Sequence, residues 1–258
     1  MLVFIGLGLQ SEGISLQGLH EARKADSVYA EFYTSFVLGL GLEKLEREIG
    51  KPIKILSRET IEGHPEELLE AAKRGRAALL VPGDPMVATT HIDLRLRAVR
   101  AGIETKVIHA ASIASAAPGL AGLQSYKFGP SATIPFPANP SVRPYEILAE
   151  NRERGLHTLL LLDIRAEEGR AMTANEAIEV MFGLERKIQK RAFTPETLAV
   201  VVGRAGSDDA TVRADKVGKL RKLDFGPPPH VLIVPGKLHF VETEALKVFA
   251  GAPEEAVR

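Results

Sequence analysis

Strand and helix patterns alternate along the first 110 residues of the chain. Short apolar runs, such as residues 2–5 and 77–81, predict buried strands, and amphipathic segments, such as residues 38–49, predict the helices between them. Each connection is too long for a hairpin and long enough for a helical crossover. The alternation therefore predicts an α/β domain with a mostly parallel sheet.

The pattern changes after residues 129–144, a stretch that contains five prolines and little periodicity. Helix and strand patterns resume beyond it, with apolar strands predicted at residues 158–164 and 230–234. We predict two α/β domains, residues 1–110 and 111–258, with mostly parallel or mixed sheets and the proline-rich stretch near their connection. Two such domains predict a cofactor cleft between them.

Composition excludes several classes of function. The 33 basic residues balance the 33 acidic ones, which argues against a nucleic acid or an anionic membrane as partner. No apolar run reaches the ~18 residues of a membrane-spanning helix, and the first residues do not resemble a secretory signal. The absence of cysteine excludes disulfides and thiolate chemistry, and the histidines show no metal-binding spacing. We expect a cytoplasmic protein without a metal.

The first loop contains a glycine pair, Gly6 and Gly8, directly after the first strand. Glycines there allow a tight turn and a close approach to a ligand. A dinucleotide-binding fingerprint requires a third glycine three positions later, where Ser11 stands, although Glu31 has a suitable spacing for a ribose contact. An NAD-dependent protein and a plain strand-to-helix turn both remain open at this point.

Two further loops follow predicted strands. Residues 82–85 read Pro-Gly-Asp-Pro, and residues 109–116 read HAASIASA. Ligands of parallel sheets bind beyond the carboxyl ends of the strands, so we expect Asp84 to project outward as a hydrogen-bond acceptor. Ser112 can cap the following helix. Each loop also has a simpler interpretation, as a turn before a helix or as small residues at a packing face.

Taken together, these loops resemble those of the tetrapyrrole-methylase superfamily, in which two α/β domains bind S-adenosylmethionine. The first loop here is GLGLQSEG rather than GPGDP, and HAASIASA lacks the usual preceding Pro-Gly. In both loops the sequence resembles the branch of the superfamily that modifies translation elongation factor 2. The resemblance runs from residue 1 to about residue 242 and rests on the stretches MLVFIGLGL, GDPMVATTH, HAASIASA, QSYKFGPSATIPF, LLLLDI, MTANEA, GRAGSDD and PPHVLIVPGKLHFVE.

This resemblance implies a homodimeric S-adenosylmethionine-dependent N-methyltransferase. Its implied substrate is the 3-amino-3-carboxypropyl-histidine of elongation factor 2, whose amino group it methylates repeatedly to give diphthine. The resemblance assigns no catalytic base. Three alternatives stay open: a precorrin-type tetrapyrrole methyltransferase, an NAD-dependent α/β protein and a non-catalytic binding module. The implied S-adenosylmethionine contacts are Leu9, Asp84, Val87, Ser112, Ile113, Leu162, Ala205 and His230.

Overall fold

A computed structural model describes residues 1–257, apart from the side chain of residue 167. The chain forms two compact units. The first contains Met1–Ile113 with Ala166–Glu168, and the second contains Ala114–Arg165 and the remaining described chain from Gly169. No helix within residues 1–257 is long and apolar enough to cross a membrane.

The first unit has a five-stranded parallel sheet in the order β3-β2-β4-β1-β5, as the alternating pattern predicts. Its strands are β1 (Leu2–Gly6), β2 (Ser27–Ala30), β3 (Ile53–Ile55), β4 (Ala77–Val81) and β5 (Thr105–Ile108). Its helices are α1 (Leu16–Lys24), α2 (Leu42–Ile49), α3 (Arg58–Glu62), α4 (Glu66–Arg74) and α5 (His91–Arg100).

Both faces of this sheet are covered, which explains why β1 and β4 are apolar throughout. Leu2 and Phe4 of β1 enter the core on one face, and Val3 and Ile5 enter the core on the other. All four side chains are completely buried. Strands buried on both faces carry continuous apolar runs instead of alternating ones.

Local capping explains where the helices of the first unit begin. Ser15 accepts a hydrogen bond from the Gly18 N–H at 3.0 Å and starts α1, as expected. The helix predicted from residue 38 begins only at Leu42, because Gly39 has a left-handed φ of 67° and interrupts the pattern. The short helix α3 was not predicted from the sequence.

The second unit has a mixed sheet in the order β11-β10-β12-β7-β6, in which only the β6–β7 pair is parallel, and a small β8–β9 hairpin. Its strands are β6 (Ala132–Ile134), β7 (Thr158–Leu162), β8 (Ile164–Arg165), β9 (Arg170–Ala171), β10 (Leu198–Gly203), β11 (Thr211–Lys216) and β12 (His230–Val234). Its helices are α6 (Ile113–Ala121), whose first residue closes the first unit, α7 (Arg143–Glu153), α8 (Ala174–Ile188), α9 (Val217–Leu220) and α10 (Phe240–Ala250).

Two strands of this sheet differ from the sequence prediction. The stretch of residues 129–144, predicted as a loop, contains β6, and β11 was not predicted at all. Both are edge strands that pair on one side only. An edge strand buries little surface and tolerates neighbouring prolines, so it lacks a long apolar run.

A buried carboxylate links three segments of the second unit. Glu242, completely buried in α10, accepts hydrogen bonds from Gln124 N (2.9 Å), His239 N (2.8 Å) and His157 Nε2 (2.9 Å), and it contacts the Lys127 ammonium. Burial opposes ionisation, but these donors outweigh it and lower the pKa of Glu242 to about 2. The carboxylate therefore joins α10 to the segments around residues 124–127 and 157.

Candidate functional site

The loops that follow β1 and β4 are joined to each other at the carboxyl edge of the parallel sheet. Beyond the last strand residues, Gly8 N donates to Gly83 O at 3.1 Å and Gly83 N donates to Gly8 O at 2.8 Å. The strands themselves run parallel, so this antiparallel bridge belongs to the loops alone. It places the first loop directly beside the Pro-Gly-Asp-Pro turn.

Glycine is required where these loops converge. A Cβ atom on Gly6 would lie 2.6 Å from the Gly83 carbonyl oxygen and 2.6 Å from the Ala110 Cβ. Gly8 and Gly83 also have left-handed φ angles, of 71° and 67°. The glycines thus allow the loops after β1, β4 and β5 to pack against one another.

Asp84 ties the turn after β4 to the loop after β5. It is 6% exposed, and its Oδ1 accepts from Met86 N at 2.9 Å. Its Oδ2 accepts from Ala110 N at 3.2 Å and lies 2.8 Å from His109 Nδ1. The sequence led us to expect an outward-projecting carboxylate, and the structure instead places it in an internal network that holds two loops together.

The other predicted contacts of the first unit lie on the same three loops. Leu9 is half-buried after β1, and Val87, in the turn after β4, is 39% exposed. Ser112 is buried in the loop after β5, and Ile113 is half-buried at the start of α6. The structure therefore brings the five predicted residues of this unit to one edge of the sheet, where a parallel sheet binds its ligands.

The three predicted contacts of the second unit lie at the same end of the central strands of its sheet. His230 opens β12 opposite Gly203, the last residue of β10, and Leu162 ends the antiparallel neighbour β7. Ala205 follows β10 in a turn that is held to the start of β12 by a 2.8 Å hydrogen bond from Arg204 N to Pro229 O. These residues are distant in sequence, and sheet register alone brings them together.

His230 is buried and only partly satisfied. Its Nδ1 accepts from Ala174 N at 3.2 Å, which places the ring proton on Nε2. Burial lowers the pKa of His230, although nearby backbone carbonyls partly oppose this shift. Within the described residues, Nε2 and the adjacent Thr211 Oγ1 have no hydrogen-bond partner. Buried polar groups without a partner are uncommon and costly, which makes this end of the sheet a candidate functional site.

The sequence did not predict the buried polar cluster of the first unit, which lies below the turn after β4. Glu31 and His91 are both completely buried, with Glu31 Oε1 3.8 Å from His91 Nε2. Glu31 accepts from Tyr33 N (3.0 Å) and from the N–H and hydroxyl of Thr34 (3.1 and 2.5 Å). Because Glu31 is completely buried, it is not placed to contact a ribose, which the NAD alternative would require.

Glu31 makes stability depend on pH. Burial raises its pKa from 4.5 to about 7, although hydrogen bonds from Thr34 and Tyr33 favour the ionised form. Between these values the folded chain retains a proton that the unfolded chain releases, so the Glu31 contribution to stability is lost as pH rises through about 7. As pH rises from about 4.5 to 8, we expect the free energy of unfolding of Glu31→Gln to increase by on the order of 3 kcal/mol relative to that of the native chain.

Urea unfolding of both proteins across this pH range checks that expectation. Glu59→Gln, which changes an exposed carboxylate on the neighbouring helix α3, is the matched control and should follow the native profile. Parallel curves for Glu31→Gln and the native chain would show that Glu31 ionises normally.

The sequence that contains these loops matches a known protein family. Residues 1–221 match the family model described as Tetrapyrrole (Corrin/Porphyrin) Methylases. The fold and the site thus define a methyltransferase of this class.

Individual relatives narrow the class. The chain is 50% identical over 261 residues to a protein of Methanosarcina barkeri named diphthine synthase, covering 98% of this chain and 97% of that one. Identity to the diphthine synthase of Methanothermobacter thermautotrophicus is 49% over 262 residues, covering 100% and 98%.

Solved structures agree with the sequence relatives. A crystal structure of diphthine synthase matches with a TM-score of 0.92 and 42% identity, covering 100% of this chain and 98% of that one. A putative diphthine synthase from Entamoeba histolytica matches at 0.88 and 36%, covering 98% and 99%. The chain belongs to the diphthine synthase family within the tetrapyrrole methylases.

Proposed function

We propose that this protein uses S-adenosylmethionine to methylate, repeatedly, the amino group of a 3-amino-3-carboxypropyl-histidine on translation elongation factor 2, giving diphthine. The observation that carries the proposal is the union of three loops at the carboxyl edge of β4, β1 and β5, joined through Gly8, Gly83 and Asp84. The names and full-length similarity of its relatives support the substrate.

The proposed S-adenosylmethionine contacts are the positions that the resemblance implied. In the first unit, exposed Val87 and half-buried Leu9 and Ile113 offer apolar surface beside the backbone of the joined loops. In the second unit, Leu162, Ala205 and His230 come together at one end of the sheet, where His230 Nε2 and Thr211 Oγ1 are buried without a hydrogen-bond partner among the described residues. The full set of proposed contacts is Leu9, Asp84, Val87, Ser112, Ile113, Leu162, Ala205 and His230. The proposal also includes a homodimer in the cytoplasm.

S-Adenosylmethionine supplies a methyl group that is already activated by its sulfonium, so the residues need only bind and orient the reactants. Orientation of two reactants alone lowers a barrier by several kcal/mol. The acceptor amine must lose its proton before each transfer, because an ammonium has no lone pair. An amine that stays in contact with water between transfers can lose that proton to solvent, so the proposal assigns no buried base.

Transfer of labelled methyl groups tests the substrate. The purified protein is incubated with S-adenosylmethionine and, in separate reactions, with modified elongation factor 2, unmodified elongation factor 2 and a precorrin. We expect label only on the modified factor, with mass spectrometry locating it on the modified histidine. Label on the precorrin, or equal label on both forms of the factor, would contradict the proposed substrate.

A further inference from the structure

The first residue of α5, His91, supports the turn after β4 from inside the core. It is completely buried, and its Nδ1 lies 3.2 Å from the Pro85 carbonyl oxygen. A carbonyl only accepts, so Nδ1 carries the proton and donates. The Tyr33 hydroxyl lies 3.4 Å from Nε2 and donates to it, which fixes this tautomer from the other side.

Pro85 has a special place in the turn because proline lacks a backbone N–H. Its carbonyl is therefore the only hydrogen-bonding group by which this residue can be held, and Thr89 Oγ1 donates to the same oxygen at 3.0 Å. The neighbouring Asp84 is fixed through its carboxylate. Two successive residues of the turn are thus anchored independently, one through its side chain and one through its carbonyl.

We propose that His91 is a positioning residue for S-adenosylmethionine binding, because its imidazole holds the Pro85 carbonyl and so fixes the backbone that presents Asp84 and Val87. The inference rests on the proposed function. Its physical basis is that binding to a preformed turn avoids the cost of ordering that turn on association.

The surroundings of His91 keep it in the neutral donor state. Burial lowers its pKa, although the Pro85 carbonyl and the acidic Glu62 oppose this shift. The ionisable groups around it are Glu31, at 3.8 Å, Tyr33, with the Arg58 guanidinium over its ring, and Glu62. Measurements at one pH near 8 therefore compare variants against a neutral imidazole.

Three substitutions separate positioning from packing. His91→Leu removes the donor, whereas the side-chain amide of His91→Asn can still donate to the Pro85 carbonyl. Leu94→Ala is the matched control, since Leu94 is 2% exposed on the same helix and packs in the same core. Calorimetry gives the Kd for S-adenosylhomocysteine, thermal unfolding gives the ligand-free Tm, and steady-state assays separate KM from kcat.

We expect His91→Leu to weaken S-adenosylhomocysteine binding about 10-fold, the effect of one lost hydrogen bond, and to raise KM more than it lowers kcat. His91→Asn should stay within about 3-fold of the native Kd. Leu94→Ala should lower Tm without changing Kd. If His91→Leu does not fold, Tyr33→Phe, which frees the tautomer, should weaken binding about 3-fold.

Native affinity in folded His91→Leu would overturn the role of His91 while leaving the proposed function intact. Equal weakening in His91→Leu and His91→Asn would assign the effect to packing and would also overturn it. A native protein that binds no S-adenosylhomocysteine would instead refute the proposed function itself.

Discussion

Replacing Glu242 with alanine is expected to lower the free energy of unfolding by about 3–5 kcal/mol, the range for removing one partner of a buried ion pair. The carboxylate is completely buried, and its loss removes the counter-charge of the Lys127 ammonium, which keeps the Lys237 carbonyl, and the acceptor of the His157 Nε2–H. The backbone N–H groups of Gln124 and His239 lose theirs as well. Urea unfolding near neutral pH measures the loss.

The matched control is Glu244→Ala, two residues further along the same helix. Its side chain is 69% exposed and pairs at 3.9 Å with Lys247, so its removal should cost less than about 1 kcal/mol. The deficit of Glu242→Ala should shrink as pH falls from about 4.5 to 2, because the depressed pKa of Glu242 gives stability that disappears when the carboxylate is protonated. A deficit that does not change with pH would show that the charge of Glu242 contributes nothing.

Replacing Asp84 with alanine should affect both folding and binding. Loss of the carboxylate leaves the partly buried Met86 and Ala110 N–H groups without this acceptor, and an unsatisfied donor costs about 1–3 kcal/mol when it is buried. We expect the free energy of unfolding to fall by about 2–4 kcal/mol. Affinity for S-adenosylhomocysteine should fall at least about 10-fold, because two of the proposed ligand-binding loops lose their common anchor.

Thermal unfolding and calorimetry on the same preparations separate the two effects. Asp93→Ala removes an exposed carboxylate that pairs with Arg97 on the surface, and it should change neither quantity appreciably. An unchanged Tm with weakened binding would show that Asp84 acts on the ligand and not on the loops. A lowered Tm with native affinity would make it a structural residue only.

Much of the fold was predictable from the sequence because its central strands are apolar. Strands β1, β4 and β12 are buried along their whole length, and their apolar runs stand out from the polar segments around them. The edge strands β6 and β11 escaped prediction for the converse reason, since a strand paired on one side needs no such run.

The candidate site divides in the same way. The glycines at positions 6, 8 and 83 and the small residues after β5 are local signals, and they indicated the three loops without a structure. The role of Asp84 as an anchor was not predictable, because its partner Ala110 is far away in the chain. The contact of His91 with Pro85 is local, but its burial beside Tyr33 depends on how distant segments pack. Burial of Glu31 likewise depends on several elements packing together.

The sequence by itself determined the α/β class, the positions of the central strands along the chain and the loops that carry the family motifs. These depend on local periodicity, backbone conformation and residue size, which each segment carries with it. The tertiary structure decided which polar groups meet, and therefore which are anchors and which face outward. Hydrogen-bond partners and burial are set by packing between distant segments. Only in the folded chain, therefore, does Asp84 join two loops and Glu242 accept hydrogen bonds from several segments.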